Sequence, residues 1–206
     1  MTRSILSVFL CLTPIIAWAQ TPVVSTDSLA RSVVQVRNTS QNSNTSWGSG
    51  CWIDETHILT CLHVVFASSS IDIIWEGKIF HAEIASVEPA GDWSLLELSS
   101  PVEGVPIAEL RESEIKFGEA VVGYGFGSVH DGKRMMAMIQ GRVDRNCIRG
   151  SQKPRNGDSG GPIFDSNGRL IGVINSRVEE ENEWYGHSIG PRLFEFCRGR
   201  SGFRRR

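Results

Sequence analysis

Short apolar stretches, many of them alternating with polar residues, recur along the chain between glycine, proline and polar turns. Stretches of this kind that are rich in β-branched residues are typical of β-strands. In the first half they predict strands at residues 32–37, 51–53, 57–60, 71–75, 79–85 and 94–98. In the second half they predict strands at residues 120–124, 135–143, 162–164 and 170–174. Many short strands with frequent turns indicate an all-β sandwich or barrel.

Two segments depart from this strand pattern. Pro101, Gly104 and Pro106 cluster after the stretch at 94–98, and we expect a first β unit to end there. Residues 191–197 begin with a proline, which suits a first helical turn, and their apolar positions can share one helical face. They predict a short C-terminal helix.

The N-terminus has the layout of a secretory signal peptide. Arg3 precedes an apolar run over residues 5–17, and Ala17-Trp18-Ala19 then supplies a small-any-small sequence. The run is shorter than the roughly 20 residues that span a bilayer. We therefore expect cleavage after Ala19, with no stable membrane anchor left. The predicted mature segment, residues 20–206, would be secreted or periplasmic.

Composition and charge narrow the class of protein. The chain has 206 residues, 40% apolar and 21% charged, which is ordinary for a globular protein. Its net charge of −2 gives no reason to expect a nucleic-acid partner.

Four of the five cysteines lie after the predicted cleavage site, and an even number in an oxidising compartment predicts disulfides. Three pairings are possible. We favour Cys51 with Cys61, which flank a predicted hairpin, and Cys147 with Cys197. No two cysteines have the zinc-ligand spacing of roughly two to four residues. No metal or organic cofactor is expected.

The sequence Gly-Asp-Ser-Gly-Gly-Pro at residues 157–162 surrounds Ser159 with three glycines. Glycines allow backbone N–H groups to turn inward where a side chain would clash. Acyl transfer needs such donors, because negative charge develops on the carbonyl oxygen that a serine attacks. The segment therefore predicts Ser159 as a nucleophile, with the N–H groups of Gly157 and Ser159 as the oxyanion hole.

A serine nucleophile needs a base, and the base needs a carboxylate that fixes its tautomer. Of the five histidines, His63 follows directly after a predicted strand, where a side chain can face a cleft. Asp92 stands at the entry to the apolar strand at 94–98. Asp72 is the competing carboxylate, but it lies inside a predicted strand between Ile71 and Ile73.

The order of histidine, aspartate and serine, with these flanking residues, resembles the chymotrypsin/trypsin superfamily, and especially the protease domain of the HtrA/Deg group. Residues 47–53 (Trp-Gly-Ser-Gly-Cys-Trp-Ile) resemble its opening strand, and residues 59–65 (Leu-Thr-Cys-Leu-His-Val-Val) resemble its histidine motif. Residues 92–98 and 168–175 are similar to its aspartate segment and to the strand after its nucleophile.

This resemblance implies a chymotrypsin-like fold of two six-stranded antiparallel β-barrels with a short C-terminal helix. The first barrel would span about 32–100 and the second about 105–190. It also implies a secreted serine endopeptidase that acts on polypeptides. The enzyme would act through the triad His63, Asp92 and Ser159 and through an acyl-enzyme. We expect a monomer.

The chain departs from the HtrA pattern in two ways. It ends soon after Cys197, which leaves no room for the PDZ domain that HtrA proteins usually carry. HtrA proteins usually have asparagine before the serine, whereas this chain has Asp158, as trypsin does. In trypsin that aspartate pairs with a freshly cut N-terminus, but no good activation site is evident here. We predict activity without a zymogen cut, so Asp158 needs another partner if the oxyanion loop is ordered before substrate binds.

The substrate preference has two interpretations. Lys153 lies six residues before the serine, where trypsin has its specificity aspartate, and Asn175, Ser176 and Arg177 form the segment expected to pair with substrate. A cation in the pocket would favour an acidic residue before the scissile bond. The HtrA resemblance instead implies a medium-sized apolar residue there.

Two rival functions use the same scaffold. A catalytically silent pseudoprotease would bind peptides by strand addition along residues 175–177. A serine esterase would cleave small esters but no peptides. Covalent labelling of Ser159 separates the first rival from an enzyme, and peptide cleavage separates the second from an endopeptidase.

Overall fold

Two closed six-stranded barrels make up most of the protein. The computed structural model describes residues 26–130, 133–144, 147–150, 154–178, 183–188 and 190–198. The first barrel consists of β1 (Val33–Ser40), β2 (Thr45–Trp52), β3 (His57–Cys61), β4 (Ser68–Trp75), β5 (Lys78–Glu88) and β6 (Trp93–Leu98). The second consists of β7 (Ala120–His130), β8 (Lys133–Asp144), β9 (Cys147–Gly150), β10 (Pro162–Asp165), β11 (Leu170–Val178) and β12 (Glu183–Ser188).

Each barrel closes with the same permuted order of strands. The first runs β1-β2-β3-β6-β5-β4 and the second runs β10-β11-β12-β9-β8-β7, with antiparallel pairing between neighbouring strands. The helices are α1 (Thr26–Arg31), α2 (Leu62–Val65) and α3 (Gly190–Arg198), with a 3-10 turn at Pro89–Gly91. The prediction of two six-stranded barrels followed by a C-terminal helix is confirmed. None of the helices in the described part of the chain is long and apolar enough to cross a membrane.

Alternation of buried and exposed positions builds the first barrel. On β4, Ile71, Ile73 and Trp75 are buried, while the residues between them are partly exposed. Because successive side chains of a strand point to opposite faces, this alternation directs one face into the core. Trp52 on β2 packs edge-on against Trp75, with ring centroids 6.0 Å apart.

Polar residues extend β1 further than the apolar pattern indicated. The predicted strand covered residues 32–37, yet β1 continues to Ser40 because it is paired on both sides, with β2 and β4. The Asn38 side chain is buried and its amide donates to the Val64 carbonyl at 2.6 Å. Asp72 remains a structural residue, because it accepts a 2.7 Å hydrogen bond from Arg37.

The two barrels share a contact surface, and the chemically important residues lie there. One hydrophobic cluster joins the first-barrel core to Tyr124, Phe164, Leu170 and Val173 of the second barrel. Backbone hydrogen bonds also cross between the barrels, as from Ser49 N–H to the Ser159 carbonyl at 2.7 Å. The junction therefore fixes the position of the loop between β9 and β10 relative to β2 and β3.

Candidate active site

His63 and Asp92 meet at one end of the first barrel. His63 lies on α2, directly after β3, and Asp92 caps the 3-10 turn in the left-handed conformation at φ 55°. His63 Nδ1 lies 2.6 Å from Asp92 Oδ2, and the backbone N–H of His63 donates to Asp92 Oδ1 at 3.0 Å. The two contacts fix the orientation of the carboxylate relative to the imidazole ring.

The same contacts set the ionisation of Asp92. Partial burial alone would raise the pKa of Asp92, but the hydrogen bonds from the ring and the backbone N–H of His63 outweigh it and hold the pKa below its usual range. Asp92 is therefore a carboxylate at neutral pH. An anion beside Nδ1 favours the tautomer with its proton on Nδ1, which leaves Nε2 able to accept a proton.

Ser159 lies between β9 and β10, and residues 157–160 contact the first barrel. Gly160 has φ +85°, and a Cβ there would lie 2.1 Å from the Ser49 carbonyl oxygen and 2.3 Å from Thr60 Oγ1. Only glycine permits this approach. The approach brings Ser159 against Ser49 in the middle of β2 and against the end of β3, next to the segment that carries His63. Within the described part of the chain, Ser159 Oγ has no hydrogen-bond partner, a geometry that apo sites often show.

Backbone N–H groups around Ser159 divide into satisfied and available donors. The N–H groups of Asp158, Gly160 and Gly161 each donate to a backbone carbonyl, at 3.0, 2.7 and 3.0 Å. The N–H groups of Gly157 and Ser159 donate to no acceptor among the described residues. Two unpaired donors, one on the serine itself and one two residues before it, form a suitable site for a developing oxyanion.

Asp158 has a partner that the sequence did not identify. Its side chain is only 1% exposed, and its Oδ1 and Oδ2 accept 2.7 Å hydrogen bonds from the N–H groups of Gly127 and Arg155. A Cβ at Gly125 or Gly127 would lie within 2.6 Å of the Asp158 side chain, so both positions require glycine. Burial outweighs the two hydrogen bonds and raises the pKa of Asp158. Backbone amides therefore anchor this aspartate inside the second barrel.

Two further side chains, which the sequence analysis missed, hold the loop at residues 156–159. Ser49 Oγ donates to the Gly157 carbonyl at 2.6 Å and accepts from the Phe126 N–H at 2.8 Å. Arg134 Nη1 donates to the Asn156 carbonyl at 3.1 Å. The position of Ser49 between two glycines was the only sequence signal for its role. Nothing in the sequence marked Arg134.

The cysteines are arranged differently from the favoured pairing. Cys51 and Cys61 are both buried free thiols and do not form a disulfide with each other. The β2–β3 register pairs Cys51 with Leu59, which leaves Cys61 two residues further along β3. The second favoured pair depends on the side chain of Cys147, which lies outside the described ones, so its pairing with Cys197 stays a prediction.

Cys61 instead lies beside the candidate catalytic residues. Its Sγ donates to the Ile174 carbonyl oxygen at 3.3 Å and lies within 4.8 Å of a side-chain oxygen of Asp92. Burial first, and the nearby Asp92 charge second, raise the pKa of the Cys61 thiol well above its usual range. One ligand atom from each of Cys61, His63 and Asp92 lies within 4.8 Å of the others, so the three could hold a metal ion.

The predicted substrate-binding residues are only partly described. Lys153 lies outside the described residues, as do the side chains of Ser176 and Arg177. The backbone of Asn175, Ser176 and Arg177 belongs to β11, and the β11–β12 register shifts between Ile174 and Ser176. The choice between an acidic and an apolar preference stays a prediction.

The chain is similar in sequence to known serine proteases. A family model described as a trypsin-like peptidase domain matches residues 48–173. A probable periplasmic serine endoprotease, DegP-like, of Pseudomonas putida is 30% identical over 152 residues, covering 69% of this chain and 31% of that protein. The serine protease Rv3671c of Mycobacterium tuberculosis is 27% identical over 175 residues, covering 78% of this chain and 41% of that protein.

Solved structures show the same fold. The crystal structure of the active form of the Rv3671c protease from M. tuberculosis superposes with a TM-score of 0.72 at 22% identity, covering 98% of this chain and 96% of that one. The chain spans less than half the length of the two curated relatives described above. The match to the family model covers more than half of the 206 residues. The chain therefore belongs to the trypsin-like peptidase family.

Proposed function

We propose that the protein is a serine endopeptidase in which Ser159 is the nucleophile, His63 the general base and Asp92 the residue that orients the histidine. The observation that carries the proposal is the 2.6 Å contact between His63 Nδ1 and Asp92 Oδ2, next to a loop in which the N–H groups of Gly157 and Ser159 are unpaired among the described residues. The family match and the relatives named as serine proteases support the same activity.

The proposed reaction follows from the roles of these groups. Asp92 keeps the imidazole proton on Nδ1, so Nε2 takes the proton of Ser159 as its Oγ attacks the substrate carbonyl carbon. The N–H groups of Gly157 and Ser159 bind the resulting oxyanion. The imidazolium then protonates the leaving amine, and an acyl-enzyme remains. Water, activated by His63, hydrolyses that ester and restores the serine.

Activity without a zymogen cut is part of this proposal. Asp158, which in trypsin pairs with a new N-terminus, already accepts hydrogen bonds from the N–H groups of Gly127 and Arg155. Ser49 and Arg134 hold the carbonyl groups of the preceding loop residues. These contacts support a loop that is ordered before any substrate or activating cut.

We further propose that the protein acts on polypeptides outside the cytoplasm as a monomer. The signal-peptide layout of residues 1–19 supports export, with residues 20–206 forming the protease domain. Relatives named as probable periplasmic endoproteases support the same location.

The test is labelling of the purified protein with a fluorophosphonate probe, followed by intact mass measurement. We expect one adduct on the wild type, none on Ser159→Ala and strongly slowed labelling of His63→Ala. Cleavage of a peptide library then separates an endopeptidase from an esterase. A folded wild type that takes up no probe would contradict the proposal and favour the peptide-binding pseudoprotease.

A further inference from the structure

Three different metal-ligand types converge beside the junction of the barrels. Cys61 ends β3, His63 follows on α2, and Asp92 caps the 3-10 turn before β6. One ligand atom of each, sulfur, nitrogen and oxygen, lies within 4.8 Å of the other two. Spacing between cysteines did not reveal this group, because only one of its members is a cysteine and Asp92 is distant in sequence.

We propose that Cys61, His63 and Asp92 form an inhibitory binding site for a thiophilic divalent cation such as Zn²⁺. Thiolate, imidazole and carboxylate are the ligands that zinc binds in proteins, at bonds of roughly 2.0–2.3 Å. Tetrahedral ligands at such bond lengths are separated by roughly 3.5 Å. Ligand atoms within 4.8 Å of one another can therefore close on one ion through shifts of about 1 Å.

The surroundings of the three residues suit metal binding. The His63 N–H holds Asp92 Oδ1 at 3.0 Å, which leaves Oδ2 directed at the imidazole. Such outer contacts orient ligands and strengthen metal sites. The side chains of His63 and Asp92 are 46% and 26% exposed, so an ion can enter from solvent, and Cys61 closes the buried side. Water can occupy the fourth position.

Occupation of this site is incompatible with the proposed catalysis. The expected inhibition therefore rests on the proposed function. An ion that binds Nδ1 displaces the proton from that nitrogen, and a neutral imidazole then carries its proton on Nε2. Nε2 can no longer accept the proton of Ser159. On binding, the Cys61 thiol releases its proton to solvent and the His63 proton moves from Nδ1 to Nε2, with no oxidation or reduction.

Cobalt binding tests the site independently of activity. Co²⁺ substitutes for Zn²⁺ and gives a thiolate-to-metal charge-transfer absorption only when sulfur is a ligand. We would titrate Co²⁺ into the Ser159→Ala protein, which retains all three ligands and has no nucleophile. We expect the band to saturate at one equivalent, to disappear when Zn²⁺ is added, and to be absent from Ser159→Ala/Cys61→Ala.

A second cysteine provides a matched control. Cys51 is also buried and lies on the neighbouring strand, so Ser159→Ala/Cys51→Ala should keep the band. If the Cys61 variant does not fold, Cys61→Ser and Asp92→Asn in the same background replace it, and both should weaken Co²⁺ binding. Absence of the band in the folded protein, or its persistence without Cys61, would overturn the proposal.

Zinc inhibition tests the consequence. We expect Zn²⁺ to slow fluorophosphonate labelling of the wild type reversibly, with recovery after chelation. The inhibition of each protein is measured relative to its own zinc-free labelling rate. Loss of a residue that only hydrogen-bonds a metal ligand weakens metal sites about 10–100-fold. Cys61→Ala removes a ligand itself, so it should raise the half-inhibiting Zn²⁺ concentration by at least that factor. Equal sensitivity would refute the site. A protein with the cobalt band but no labelling would instead contradict the proposed function.

Discussion

The hydroxyl of Ser49 offers the most direct test of how the oxyanion loop is held. Ser49→Ala removes one atom from β2 and leaves the backbone of both barrels intact. It deletes the 2.6 Å hydrogen bond to the Gly157 carbonyl and the 2.8 Å hydrogen bond from the Phe126 N–H. Both backbone groups then lack this partner at the junction of the barrels.

The size of the effect follows from those two contacts. A buried polar group that loses its partner costs about 1–3 kcal/mol. The loop around Gly157 can rotate toward water, so part of the cost should appear as a smaller population of the competent loop. If that loop loses about 2 kcal/mol relative to its alternatives, kcat/KM falls about 30-fold. Removal of one direct oxyanion donor costs about 10²–10³ in kcat, which bounds the effect from above.

The assay compares the second-order rate of fluorophosphonate labelling with the free energy of unfolding in urea. Ser94→Ala is the control, because Ser94 is equally buried in the first barrel but its hydroxyl makes, among the described residues, a single long hydrogen bond of 3.4 Å to the Ser86 carbonyl. We expect slow labelling only in Ser49→Ala. Wild-type labelling rates in folded Ser49→Ala would refute the role of this hydroxyl.

Three further predictions concern folding and pH. Gly160→Ala should abolish soluble expression or greatly lower the melting temperature, because its Cβ would lie 2.1 Å from the Ser49 carbonyl oxygen at φ +85°. The pKa of Asp92 lies below its unfolded value of 3.8, so Asp92 stabilises the folded state above pH 3.8 and this contribution is lost as the pH falls through the folded pKa. Asp92→Asn should therefore reduce the fall of the free energy of unfolding at acid pH, measured by urea titration. The hydrogen bond that the His57 ring donates to the Asp54 carboxylate, opposed by burial, raises the pKa of His57 above 6.5. The contribution of His57 to the free energy of unfolding is therefore full below pH 6.5 and is lost as the pH rises through the folded pKa; an unchanged slope in His57→Gln would contradict this.

Local sequence patterns were sufficient to predict much of the fold. Alternating apolar residues predicted ten of the strands in outline, because inward and outward side chains alternate along any half-buried strand. The ends of strands were harder to predict. β1 extends through polar residues to Ser40 since it is paired on both edges, and β12 (Glu183–Ser188) has no clear apolar pattern and was missed. Ladder hydrogen bonds, which a sequence pattern does not contain, decide such cases.

Disulfide pairing is a second feature that the sequence pattern did not predict correctly. Cys51 and Cys61 flank a hairpin in sequence, and proximity along the chain favoured a bond between them. The strand register instead sets Cys61 beside Asp92 and the Ile174 carbonyl. Cys51 lies close enough to Cys197 that, after burial, the Cys197 charge also raises the pKa of the Cys51 thiol. Disulfide geometry depends on Cβ separation and direction, which follow from register and not from spacing.

The sequence by itself determined which residue types are available for acyl transfer and the order in which they occur. His63, Asp92 and Ser159 were singled out because histidine, aspartate and a glycine-flanked serine have few alternative roles when they occur together. The tertiary structure alone decided what supports them. Ser49 meets Gly157 across 108 residues, and Cys61 meets Ile174 across 113. Barrel closure creates such contacts, and side-chain periodicity, which is local, contains no information about them.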